Sequence, residues 1–209
     1  MVDGPRIVLI VRYRIIKLQT IPSDCLMNRL HPIDPATAQG KTKTLLDAVK
    51  AALGGTPNMF RLLAASPATL EAYLSFNRTL SHGALPAKVR EQIALVAAET
   101  NGCDYCASAH TALGKHAGLS QDDVTNALEG RATDPKADAA VRFAKLLLEK
   151  HGHISDSDFT QVKQAGLSEA EIGEIVAHVA INVLTNYFNI AFETEIDFPV
   201  IRTQQAKAA

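Results

Sequence analysis

At 209 residues with 47% hydrophobic content, the chain is long enough for one substantial core or two closely joined halves. A net charge of −1 and a pI of about 6.6 leave no electrostatic footprint for nucleic acid or an anionic membrane. Three cysteines, two of them in one motif, do not make a disulfide framework, so a reducing, cytoplasmic setting is expected.

The first 26 residues do not match the rest and are expected to be a non-native or disordered extension, with Met27 as the natural start. Their apolar run, Ile7 to Val11, is short. Arg12, Arg14 and Lys17 then interrupt it, which argues against a membrane span, and no small-residue cleavage site follows. Cys25 falls in this stretch and is given no role.

From Met27 the chain reads as helices separated by clear punctuation, forming a single domain over 27–209. Pro32 and Pro35 open an extended lead-in, and Lys41 to Leu53 carries a helical stripe through Leu45, Leu46, Val49 and Leu53, closed by Gly54-Gly55. Pro57 begins a short helix over Met59 to Ala65. Ser66-Pro67 caps a helix over Ala68 to Leu80. Leu85-Pro86 starts the helix carrying Glu91, and Asn101-Gly102 breaks the chain before the next one. Ser120 precedes Gln121 to Leu128, Asp134-Pro135 precedes Lys136 to Lys150, and Ser155 opens Asp156 to Gln164. Ser168 with Glu171 forms a capping box for a long final helix. With almost no alternating pattern anywhere, the expected fold is all-α.

The chemistry concentrates in Glu91 to His116, EQIALVAAETNGCDYCASAHTALGKH. If a helix follows Gly102, Cys103 and Cys106 stand at i and i+3 and Cys106 and His110 at i and i+4, so all three share a face. Only a thiolate is a good nucleophile, and its pKa falls at a helix N-terminus or beside an imidazole. The helix end favours Cys103 as the more acidic thiol; the neighbouring base favours Cys106. The residues alone do not decide between them. Either way an oxidised first thiol has a second within reach, giving a reversible disulfide. A zinc site is the alternative chemistry for Cys103, Cys106 and His110, but no second C-x-x-C or H-x3-H supplies a fourth ligand. A buried, unreactive thiol pair is the plainer alternative, and the histidine on the same face argues against it.

Glu91, Cys103, Cys106 and His110 reproduce the E-x11-C-x2-C-x3-H pattern of the AhpD-like alkylhydroperoxidases within the carboxymuconolactone decarboxylase superfamily, and the chain resembles that family from about Met27 to Pro199. The resemblance implies an AhpD-like helical fold and reduction of alkyl hydroperoxides through a dithiol–disulfide cycle. Cys106 would be the peroxidatic cysteine, Cys103 the resolving one, and His110 and Glu91 a proton relay. It further implies no cofactor, an external dithiol reductant of thioredoxin-like or lipoyl type, and a homo-oligomer. Some members carry a histidine just before the second cysteine; here that residue is Tyr105, so a low rate with peroxide is expected. The other functions weighed are the superfamily's decarboxylase activity, which does not depend on a dithiol, and a non-catalytic redox sensor.

A weak internal echo accompanies the motif. A shift of 82 positions lays Leu85, Ile93, Ala98 and Tyr105 on Leu167, Ile175, Ala180 and Tyr187, with Thr185 and Phe188 at the cysteine positions. His178, in an apolar helix, is read as a core histidine rather than a site residue. Tyr187-Phe188-Asn189 could line a pocket over the thiols, though packing or oligomer contact is the commoner use of aromatics there. Lys115 and His116 suit a helix C-terminus. His82, His151 and His153 are expected to be solvated. Glu99 is set aside as a relay because Gly102 separates it from Cys103.

Overall fold

The computed structural model describes residues 29–204, which contain nine helices and no strand. The expectations for residues 1–26, Cys25 and Met27 lie outside the described residues. The helices are α1 (Gly40–Leu53), α2 (Asn58–Leu63), α3 (Pro67–Ser81), α4 (Ala87–Asn101), α5 (Asp104–His116), α6 (Gln121–Leu128), α7 (Pro135–Glu149), α8 (Asp156–Gln164) and α9 (Glu169–Ala191).

Local chemistry sets these boundaries. The side chains of Ser66, Ser120, Asp134, Ser155 and Ser168 each accept a hydrogen bond from the backbone N–H three residues on, satisfying one of the donors a helix start leaves unpaired. Ser168 and Glu171 form the expected capping box, and Ser120 with Asp123 and Ser155 with Asp158 form two more. Gly102 closes α4 at φ 72°, a left-handed conformation that costs glycine little.

Helix α4 is the axis of the fold. Its residues Gln92 to Ala98 are buried without interruption, because α5, α6, α7 and α9 all pack against it. A helix apolar all round belongs inside a bundle. One side of α4 meets Phe143 and Leu147 of α7 and Ile172 and Ile175 of α9 in one apolar cluster. The other end of the molecule gathers Leu46, Phe60, Leu63 and Leu70 around the two cysteines.

After α9 the chain turns back over α5. The amide of Ile201 donates to the Ser108 hydroxyl at 2.9 Å, and the amide and hydroxyl of Thr203 both donate to Asp104 Oδ1 at 2.8 Å. Arg202 donates to Asp104 Oδ2 at 2.7 Å. This strap therefore lies on the first turn of α5, against Asp104, one of the two residues between the cysteines.

The echo divides in two. Leu85 and Leu167, and Ile93 and Ile175, are all buried core residues. The other two pairs part company: Ala98 is buried where Ala180 is exposed, and Tyr105 is 5% exposed where Tyr187 is 58%. The register agrees along the first turns and fails where α4 ends, since α9 continues unbroken.

Candidate active site

Cys103 is the N-cap residue of α5, and Cys106 lies in its first turn. The two are joined in a disulfide with their Cα atoms 5.3 Å apart. Cys103 occupies the position usually held by serine or aspartate: its Sγ accepts from the Cys106 backbone N–H at 3.2 Å. The backbone that carries the second cysteine thus supplies a donor to the first. Cys106 Sγ receives a different donor, Nδ2 of Asn189 on α9, at 3.4 Å. Both cysteines are almost fully buried, at 1% and 3% exposure.

One turn along α5, His110 Nδ1 is bonded to Glu91 Oε2 of α4 at 2.8 Å, with both side chains about one-fifth exposed. An ionised carboxylate can only accept, so this bond places the proton on Nδ1 and leaves Nε2 of the neutral ring as the basic nitrogen. Close approach of the two helices makes the pairing possible. At Gly114, four residues beyond His110, an added Cβ would come within 2.8 Å of a Leu119 methyl and 3.7 Å of Glu91 Cβ. The four residues named from the motif are therefore carried by two adjoining helices, as a disulfide and a histidine–carboxylate pair.

The pair borders a small cavity of about 50 Å3 between α3, α4, α5 and α9, lined also by Tyr73, Arg90, His178, Asn182 and Thr185. His178 is the residue that sequence reasoning undervalued. It is 94% buried, as its 6% exposure requires, yet its Nε2 has no protein partner among the described residues. It borders a cavity rather than being satisfied in the core. Burial, with Arg90 nearby, lowers its pKa below 6.5 despite the opposing carboxylates of Glu174 and Glu91. His178 is thus neutral at pH 7. Burial, reinforced by the Glu91 charge, pushes the Tyr73 hydroxyl up to about 12, so it faces the cavity as a protonated phenol.

Tyr105 does not replace the histidine that some relatives carry. Its hydroxyl accepts from the Met59 backbone N–H at 3.2 Å and its ring stacks edge-on against Phe198, so it ties α5 to α2 and the strap. Burial raises its pKa well above the ordinary 10.0, which leaves it no role as a base. Glu99 accepts from the amide of Gln204 and belongs to the strap. Lys115 and His116 occupy the last turn of α5 as expected. Phe188 packs into the cluster around the cysteines and against Phe192, whereas Tyr187 faces outward. Among the described residues, no group of three or more His, Cys, Asp or Glu side chains is arranged to hold a metal ion.

Residues 67–149, which run from the start of α3 to the end of α7, match the model of the carboxymuconolactone decarboxylase family. Curated proteins yield no match. Among solved structures, the chain is similar to an uncharacterized peroxidase-related protein from Ralstonia eutropha JMP134 with an alkylhydroperoxidase AhpD core. The TM-score is 0.75 and the identity 21%, over 82% of this chain and 93% of that one. It is also similar to a peroxidase-related protein from Silicibacter sp. TM1040, with a TM-score of 0.70, 20% identity, and 87% and 95% coverage. A third is the debrominase Bmp8 in complex with 2,3,4-tribromopyrrole, with a TM-score of 0.69, 20% identity, and 82% and 91% coverage. At these identities the likeness is one of fold.

Proposed function

We propose that this chain, which carries a segment of the carboxymuconolactone decarboxylase family within an AhpD-like fold, reduces hydroperoxides through its Cys103–Cys106 dithiol. The observation that carries the reading is the disulfide at the start of α5, one turn from the Glu91–His110 pair. A buried, unreactive thiol pair would need no such base beside it.

In the reduced protein, His110 Nε2 takes the Cys106 proton, directly or through a cavity water, while Glu91 holds the ring in the tautomer that can accept it. The Cys106 thiolate attacks the terminal oxygen of ROOH. The O–O bond breaks, its electron pair leaves with the RO fragment, and the proton returns from His110 to give ROH. The Cys103 thiol then attacks the sulfenic sulfur, water leaves, and the disulfide forms. Two electrons from an external dithiol, thioredoxin-like or lipoyl-type, close the cycle.

Two further readings accompany the cycle. The setting is a reducing cytoplasm, where such dithiols abound; no described helix is long and apolar enough to cross a membrane. The outward face of α9 carries Val176, Leu184, Tyr187 and Ile190, all exposed, and we assign it to contact with a second copy of the chain.

The likeness to a debrominase makes thiol-driven removal of bromide the competing chemistry, since a dithiol supplies two electrons to either acceptor. Supplying a dithiol reductant with either tert-butyl hydroperoxide or 2,3,4-tribromopyrrole separates the two. Continuous loss of peroxide supports the proposal. Release of bromide with untouched peroxide replaces it, and a single oxidation without turnover identifies a sensor.

A further inference from the structure

Helix α9 is apolar over most of its length, yet from His178 onward one side of it buries five polar residues: His178, Asn182, Thr185, Asn186 and Asn189. Burying an amide or hydroxyl is costly unless a partner satisfies it. Two of them have a local answer, while His178 Nε2 and Asn186 Nδ2 have no partner among the described residues. Asn182 Nδ2 donates to the His178 carbonyl, and the Thr185 hydroxyl bonds back to the carbonyls of Ile181 and Asn182. Asn186 Oδ1 accepts from Asn101 Nδ2 at 2.8 Å, pinning α9 to the last residue of α4 beside the Gly102 break.

Asn189 is set apart by where its amide points. It is 3% exposed, its Oδ1 has no partner among the described residues, and its amide nitrogen is turned to Cys106 Sγ at 3.4 Å. The sulfur of a disulfide is a weak acceptor, so the oxidised state gives the amide little in return. A thiolate is different: a hydrogen bond to an ionised acceptor is roughly twice as strong as a neutral one. The two sulfurs also have separate donors. Cys103 is served by the backbone of its own helix, Cys106 by a side chain from across the bundle.

We infer that Asn189 is a catalytic residue whose side-chain N–H stabilises the Cys106 thiolate. The inference rests on the reading that Cys106 is the attacking sulfur. The proton that leaves the thiol goes to His110 Nε2, and the negative charge left on sulfur is held by the Asn189 amide, with no change in oxidation state. In the reverse orientation the amide oxygen would face the thiolate and be repelled, so ionisation itself selects the donor.

The test needs no peroxide. In the full chain with Cys25→Ser and Cys103→Ser, Cys106 is the remaining thiol, and the pH dependence of its alkylation by iodoacetamide gives its ionisation midpoint. Asn189→Leu should raise that midpoint by about one unit or more, and slow alkylation at neutral pH about tenfold. Asn189→Asp keeps the shape, places a carboxylate at the sulfur, and should raise the midpoint further. The Asn189 side-chain amide proton, followed by NMR in the unsubstituted side chain, should shift at the Cys106 midpoint. An unchanged midpoint in a folded Asn189→Leu or Asn189→Asp protein, or an amide signal indifferent to that ionisation, would overturn the inference. A protein inert to peroxide but with these shifts would refute the peroxidase reading and leave Asn189 in its role.

Discussion

Helices α4–α5 and α9 begin alike and end differently. Leu85 and Ile93 on one side, and Leu167 and Ile175 on the other, fill equivalent core positions. At Gly102 the first copy then turns left-handed and restarts, while the second runs on through Thr185 and Phe188. The break is what the proposed chemistry requires. It turns Cys103 into an N-cap whose sulfur faces an unpaired backbone N–H, a position that the interior of a continuous helix cannot offer. The unbroken copy contributes support instead: Asn186 holds the break at Asn101, and Asn189 reaches Cys106. In the shifted register Gly173 stands where Glu91 does and Phe192 where His110 does, so no member of the relay recurs.

The largest effect short of removing a cysteine should come from the relay that only the first copy has. Glu91→Gln removes the charge that fixes the His110 tautomer, and peroxide turnover should fall about 100-fold in a steady-state assay. The reactivity of the isolated dithiol toward small alkylating agents at high pH should persist, because the base is not needed there.

Making the first copy resemble the second is the next test. Gly102→Ala forces a Cβ into φ 72° and should cost about 1–2 kcal/mol in denaturant unfolding. Should the chain relieve the strain by extending α4, Cys103 loses its N-cap position. Disulfide formation, timed by mass spectrometry, should then slow even at temperatures where the protein stays folded.

A smaller effect concerns the strap that overlies only the broken copy. Burial pushes the Asp104 carboxyl up, but hydrogen bonds from Arg202 and Thr203 outweigh it and leave the group below its ordinary value of 3.8. A depressed carboxylate stabilises the folded state above its unfolded pKa, and that contribution is lost as pH falls through the folded value. Hydrogen exchange at residues 201–204 should therefore accelerate in acid, below the ordinary carboxylate range, with the rest of the bundle still protected. Asp104→Asn should show the faster exchange already at neutral pH. The same variant should let a bulky dithiol reductant reach the buried disulfide faster, with less change for a small one.

The helical plan was legible because its signals are local. Ser66, Ser120, Asp134, Ser155 and Ser168 announce their helices within four residues, and Asn101-Gly102 marks the break that defines the site. Cys103, Cys106 and His110 stood out for the same reason, being close together at the start of α5, whereas Glu91 entered only through the family pattern. What escaped is carried by α9 and the strap. His178 and Asn189 meet the site only through packing across 60 or more residues of chain; Asn189 was read only as one of three residues that could line a pocket over the thiols, with nothing to single out its amide. Asp104 carried no reading in the sequence, because its partners Arg202 and Thr203 lie about 100 residues further along the chain. The faint repeat flagged the right pair of helices, but a difference at one glycine, rather than their similarity, separates their roles.

The central claim is that Cys106 is the attacking sulfur of a peroxide-reducing dithiol. One equivalent of an organic hydroperoxide, added to the reduced protein and to Cys103→Ser and followed by intact-mass and peptide mass spectrometry, tests it directly. The account predicts loss of two hydrogens mapped to Cys103–Cys106 in the parent chain, and a trapped sulfenic acid on Cys106 in Cys103→Ser. Thiols that survive the peroxide, or a sulfenic acid found on Cys103 in Cys106→Ser and never on Cys106, would contradict it.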